Sequence, residues 1–173
     1  TQRKYMKINN RMKILIVGLG LIGGSYALAL KKKGYYVSAI TRSQSTIDYA
    51  LDKGIIDKGS AEVTPSLVKE ADVVVFALYP NVFIKWIEEN QSYFKSGAII
   101  TDVTGVKCGV VYKIQEILRN DVEFISAHPM AGKEVYGIKN ADDAIFRQAN
   151  YIVVPTERNT QEAIEFCESL GAE

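Results

Sequence analysis

The chain has 173 residues, 47% of them hydrophobic, and its 21 Lys and Arg against 20 Asp and Glu leave a net charge of +1. That length holds one domain, or one with part of a second, and the apolar share is ample for a core. The balanced charge carries no basic block of the kind that binds nucleic acid, no run reaches the ~18 apolar residues of a membrane span, and the polar start has no apolar signal segment.

Residues 1–11 read as an N-terminal extension and residues 12–173 as the folded domain. An apolar run at 14–17 reads as a strand. It ends at Gly18-Leu19-Gly20-Leu21-Ile22-Gly23, and a helical run follows to Lys33, stopped by Gly34. A second strand is expected at 37–40 and a short helix at 46–53, closed by Gly54. Residues 59–63 read as loop. Thr64-Pro65 has the form of an N-cap with proline in the first helical position. Residues 72–78 form a continuous apolar run, as in a strand covered on both faces. Helical spacing at 82–94 puts Phe83, Ile84, Trp86 and Ile87 on or near one side. Another buried strand is expected at 98–103, a helix at 110–118, strands at 123–127 and 151–154, and a last helix at 160–170.

This alternation predicts an α/β fold: a doubly wound, mostly parallel Rossmann-type sheet with helices on both faces and right-handed crossovers. Ligand then sits beyond the carboxyl ends of the strands, so the tips at 18–23, 41–46, 79–80, 102–107 and 128–134 are the candidate site. A cleft of this kind needs a second wall, and the chain is expected to be a truncated N-terminal domain.

A lone GxGxxG is a weak signal, but here it lies where a strand meets a helix, which is the context it requires. Gly18 allows the tight turn. Gly20 lets backbone approach a pyrophosphate, and Gly23 lets the helix pack close. The helix N-terminus then offers free N–H groups to the phosphates. The competing reading is a buried glycine turn with no ligand. At the second strand's tip stand Thr41, Arg42, Ser43, Gln44, Ser45 and Thr46, with no acid before Asp48. NAD-specific folds carry Asp or Glu there for the ribose 2′-OH. Hydroxyls and a guanidinium suit a 2′-phosphate instead. NADP is therefore the expected cofactor, with NAD possible. The plainer reading is a polar loop with Ser45 capping the next helix. Cys108 and Cys167 form no C-x-x-C pair, and with one histidine no metal site is expected. Free thiols beside a nucleotide fold fit the cytoplasm.

His128 is the only histidine. It follows a strand, in Ser126-Ala127-His128-Pro129-Met130-Ala131-Gly132-Lys133-Glu134. A lone histidine is structural by default. At a strand's carboxyl end, in a fold that brings cofactor there, an imidazole of ordinary pKa ~6.5 can take the hydroxyl proton that hydride loss releases.

With these stretches the chain resembles the prephenate and arogenate dehydrogenases of tyrosine biosynthesis. The resemblance is carried by Gly18-Leu19-Gly20-Leu21-Ile22-Gly23-Gly24-Ser25, Thr101-Asp102-Val103-Thr104-Gly105-Val106-Lys107, His128-Pro129-Met130-Ala131-Gly132-Lys133-Glu134, and Gly137. It covers nearly the whole chain from Met12. It implies oxidative decarboxylation of prephenate or arogenate with hydride transfer to NAD(P)+. His128, Thr104 and Glu134 would be catalytic. His128, Lys133, Glu134 and Lys107 would meet the substrate. The cofactor would lie on Gly18, Leu19, Gly20, Leu21, Ile22, Gly23, Thr41, Arg42, Ser43, Thr46, Tyr79, Pro80 and Asp102. A homodimer through an all-helical second domain is also implied, with no nucleic-acid or membrane partner. The chain departs from the pattern at Gly105, where many relatives carry a serine that hydrogen-bonds the histidine. Two other readings stand beside this one: a non-catalytic NAD(P)-sensing domain, and a different hydroxyacid or imine dehydrogenase.

Overall fold

The structure, a computed structural model, describes residues 11–103, 105, 108–129, 137–146 and 150–172. In chain order the elements are β1 (Lys13–Val17), α1 (Leu21–Lys32), β2 (Tyr36–Ile40), α2 (Gln44–Asp52), β3 (Lys58–Ser60), α3 (Pro65–Glu70), β4 (Val73–Phe76), α4 (Pro80–Asn90), β5 (Ile99–Asp102), α5 (Cys108–Ile117), β6 (Glu123–Pro129), β7 (Tyr151–Val154) and α6 (Gln161–Ala172). Short 3-10 turns lie at Gln91–Tyr93, Ile138–Asn140 and Asp143–Phe146.

The strands form one sheet in the order β3-β2-β1-β4-β5-β6-β7. All pairs are parallel except β6 with β7. Strand order reverses at β1, and the helices change sides there. Leu30 of α1, Ile47 of α2 and Phe166 of α6 pack on one face. Leu67 of α3, Phe83 of α4 and Ile114 of α5 pack on the other. The central strands are buried on both faces, which explains their unbroken Val and Ile runs. On the second face Phe76 meets Phe83 at 4.6 Å and Trp86 at 4.9 Å between ring centres. Burying each such ring contributes roughly 1.5–3 kcal/mol.

α1 ends in a Schellman motif. Gly34, at φ +88, donates to the Lys31 carbonyl at 3.0 Å, and Tyr35 donates to Leu30 at 3.1 Å. α3 has Thr64 as N-cap and Pro65 in its first turn, as expected.

Several sequence expectations shift. Residues 58–60 form β3, where loop was expected. Pairing to β2 supplies what propensity lacks, and Gly59 leaves room beneath it for Ile47 and Ile56, which a Cβ would meet at 2.8–3.0 Å. The fourth strand, Val73–Phe76, is shorter than 72–78, and the Asp72 carboxyl before it accepts the Lys13 N–H at 2.9 Å and pairs with Lys95 at 2.6 Å. α4 begins at Pro80 and α5 at Cys108, each two residues earlier than periodicity placed them. β6 runs on to Pro129, because antiparallel β7 pairs with it as far as Tyr151.

Candidate functional site

Strand register aligns the tips along one edge of the sheet. Val17 pairs with Ile40 and with Phe76, Phe76 with Asp102, and Asp102 with Ser126. Gly18, Thr41, Ala77 and Val103 therefore stand level, with His128 two residues beyond Ser126.

The glycine turn begins at Gly18, whose φ is +99 and whose N–H donates to the Ile40 carbonyl at 2.9 Å. A Cβ there would stand 2.5 Å from the Ala77 carbonyl oxygen, so the β4 tip closes against it. Gly20 is the N-cap of α1. A Cβ on it would meet nothing within 4 Å, so its backbone faces open space. A Cβ on Gly23 would fall on the Gly18 carbonyl oxygen. Gly24 N–H closes the first helical turn onto Gly20 at 3.0 Å. The amides before it are left for an outside acceptor. This cradle fits a pyrophosphate, and the first turn holds no acidic residue to oppose one. Leu19 and Leu21 are buried, and Ile22 is half-buried.

At the β2 tip Thr41 is half-buried and its N–H donates to Ser60 at 3.2 Å. Arg42 and Ser43 are exposed. The cap of α2 is Ser43, not Ser45: the Ser43 hydroxyl accepts the Thr46 N–H at 3.4 Å and lies 2.9 Å from the Ser45 hydroxyl. Asp48 accepts from the Gln44 amide at 2.8 Å. Tyr79 caps α4 and stands 82% exposed beside half-buried Pro80.

Asp102 departs from its expected role. It is fully buried, and one carboxyl oxygen accepts the Ser126 hydroxyl at 2.7 Å and the Ala127 N–H at 3.3 Å. The other accepts the Gly105 N–H at 3.1 Å. Period-two alternation turns Thr101 the other way, toward the Cys167 sulfur on α6 at 3.9 Å. Asp102 thus ties the β5 turn to β6, and its carboxyl presents nothing at the surface for a cofactor. Ser126 was not singled out in the sequence. A serine two residues before the histidine in a buried strand is the only local sign of it.

His128 lies within β6, opposite Ile152 of β7, and not in the loop the sequence implied. The residue is half-buried, and its Nδ1 is buried with no hydrogen-bond partner among the described residues. Gly105 lies against the ring. Thr104, Lys107, Lys133 and Glu134 lie outside the described residues, so the structure does not place them relative to His128. Cys108 is exposed at the start of α5, while burial pushes the Cys167 thiol up. Among the described residues no cluster of three His, Cys, Asp or Glu is arranged to hold a metal, and no helix is long and apolar enough to cross a membrane.

Residues 26–173 match the family model described as prephenate dehydrogenase, nucleotide-binding domain. The chain belongs to this family. It is 37% identical over 166 residues to a prephenate dehydrogenase of Bacillus subtilis, covering 93% of this chain and 44% of that protein. Its fold matches the crystal structure of Synechocystis arogenate dehydrogenase with a TM-score of 0.83 at 31% identity, over 92% of this chain and 55% of that one. It also matches a prephenate dehydrogenase of Aquifex aeolicus in complex with hydroxyphenyl propionate and NAD+, with a TM-score of 0.84 at 28% identity, over 96% and 58%. The chain therefore spans about half the length of the relatives it matches.

Proposed function

We propose that the protein containing this chain carries out NAD(P)-dependent oxidative decarboxylation of prephenate or arogenate in tyrosine biosynthesis. The observation that carries the reading is the buried Nδ1 of His128, unpartnered among the described residues, on the same sheet edge as the glycine cradle. Family membership names the substrate class.

The cradle at Gly18, Gly20 and the start of α1 would hold the pyrophosphate. His128 is three strands away, about 14 Å at ~4.8 Å per strand. A cofactor seated on α1 must therefore cross the β4 and β5 tips to bring its nicotinamide beside the histidine. When bound, the oxidised nicotinamide accepts hydride from the ring carbon that bears the hydroxyl. His128 binds that hydroxyl and takes its proton, a contribution of about 10²–10⁴ in rate. Carbon dioxide leaves, its bonding pair aromatises the ring, and the oxygen takes a proton back as a phenol. Rearomatisation makes the step effectively irreversible. Thr104, Glu134, Lys133 and Lys107 are the further candidates at these tips.

NADP is the favoured cofactor. The support is Arg42, exposed at the β2 tip, with the first carboxylate of that segment, Asp48, already taken by Gln44. The chain alone is expected to bind cofactor without turnover, because the substrate's two carboxylates need donors on a second wall if they are to leave water. The complete protein is expected to be a homodimer.

The test is cofactor reduction by the complete protein, with prephenate and arogenate crossed against NAD and NADP. Turnover with one of them, and a large kcat loss in His128→Asn with cofactor binding kept, is expected. Cofactor binding with no turnover on either substrate would establish a sensor instead.

A further inference from the structure

We propose that Gly105 is a positioning residue for His128, and that its lack of a side chain is what permits the imidazole to lie on the β5 turn. A Cβ built on Gly105 would stand 2.8 Å from the ring's Cγ, 2.9 Å from Cδ2 and 2.9 Å from Nδ1. Near-equal distances to three ring atoms put that carbon over the ring face. Carbon atoms pack at about 3.5–4.0 Å, so the ring has to shift by about 0.7 Å or more if any side chain enters. Gly105 is exposed, but its backbone is strained and tied inward. Gly105 sits at φ +70, which L side chains rarely adopt, and its N–H is pinned to the buried Asp102 carboxyl at 3.1 Å. The same carboxyl grips β6 at Ser126 and Ala127, one residue before the histidine. Asp102 therefore ties the glycine and the strand that carries the histidine to one carboxyl.

A serine at this position cannot orient His128 by a hydrogen bond in this arrangement. Its Cβ would press on the ring face and displace the ring before its hydroxyl reached Nδ1. Among the described residues the imidazole is positioned by face packing on Gly105 and by the pairing of β6 with β7, and Nδ1 has no partner. The consequence is counter-intuitive: introducing a hydroxyl beside the histidine, as Gly105→Ser does, impairs the site.

This inference rests on His128 being the base, and the experiment separates the two claims. Gly54 serves as the control. It has φ +67, and a Cβ there meets nothing within 4 Å, so Gly54→Ala carries the backbone strain without the collision. In the complete protein, Gly105→Ala and Gly105→Ser are expected to lower kcat ~10-fold or more with the cofactor KM within ~2-fold, while Gly54→Ala leaves kcat unchanged. A Gly105→Ser variant with kcat equal to the parent overturns the proposal.

Thermal melting reads the packing without any activity. Gly54→Ala is expected to melt ~2–4 °C lower, and Gly105→Ala lower still by a similar amount. In a His128→Ala background the extra loss at Gly105 should vanish, because the ring is gone. An identical loss with and without the ring refutes the contact. If Gly105→Ala does not fold, the Gly105→Ala/His128→Ala double variant should, and its failure to fold also counts against the proposal. Absent turnover in the parent protein would remove the functional reading, and the melting cycle would still decide the contact.

Discussion

Replacing Asp102 by alanine tests the frame beneath the site. Its carboxyl accepts from the Ser126 hydroxyl, the Ala127 N–H and the Gly105 N–H, and it is fully buried, so water does not compete. Among the described residues alanine leaves two buried donors, the Ser126 hydroxyl and the Ala127 N–H, without this acceptor, and also frees the N–H of exposed Gly105. Each buried orphan costs about 1–3 kcal/mol, and with the weaker loss at Gly105 the sum comes to roughly 3–5 kcal/mol. For a chain of this size 1 kcal/mol moves Tm by about 2–4 °C, so Asp102→Ala should melt ~6–20 °C lower. Asparagine keeps one carbonyl for part of the set and should cost only about 1–2 kcal/mol. The two variants are compared by thermal unfolding followed by circular dichroism, with cofactor titration of the asparagine variant. Cofactor affinity of Asp102→Asn should stay within ~3-fold, under 1 kcal/mol, because the carboxyl does not reach the surface. An alanine variant that melts within ~2 °C of the parent would refute the clamp. A tenfold affinity loss in the asparagine variant, with little change in Tm, would return Asp102 to the cofactor site.

The two glycines of the cradle should separate folding from binding. Gly20→Ala is expected to keep its Tm and lose cofactor affinity ~10-fold or more, since its Cβ would enter only open space. Gly23→Ala should lose both, because its Cβ falls on the Gly18 carbonyl. Wild-type binding by Gly20→Ala would mean that no phosphate approaches there. At the β2 tip, Thr41→Asp should weaken NADP relative to NAD by repelling the 2′-phosphate, and Arg42→Ala should do so by removing an attraction. An unchanged preference in both would show that this tip does not read the 2′ position. Alkaline pH should unfold the chain through a buried cluster. Burial raises the Tyr26 and Tyr151 phenols above their ordinary 10.0 and the Cys167 thiol above 9.0. The unfolded chain then ionises first. Stability is full below pH 9 and falls as pH rises beyond it, by about 1.4 kcal/mol per pH unit for each group engaged. Tyr26→Phe and Tyr151→Phe should each flatten that slope in denaturant titrations between pH 9 and 11, and parallel slopes would exclude the cluster as the cause.

The sequence by itself determined the βα alternation, the glycine turn at Gly18, Gly20 and Gly23, and which segments form the strand tips. These are local properties. An apolar run, a glycine at a turn or a proline after Thr64 acts on its own neighbours, and its effect is written in the adjacent residues. Tertiary structure alone decided the features set by residues distant in the chain. Pairing to β2 made a strand of Lys58–Ser60. Pairing to β7 drew His128 out of a loop and into β6. Gly24 is needed because Ile138 and Ala141, more than a hundred residues on, close against it. The direction of Asp102 was also invisible. Its motif pointed to a strand tip, but the Ser126 hydroxyl and the Ala127 amide that hold it arrive from β6 only once the sheet has formed. The same holds for Gly105. A glycine in place of serine reads as a missing hydrogen bond until folding brings the His128 ring over it, and the absent side chain then becomes the space the ring occupies.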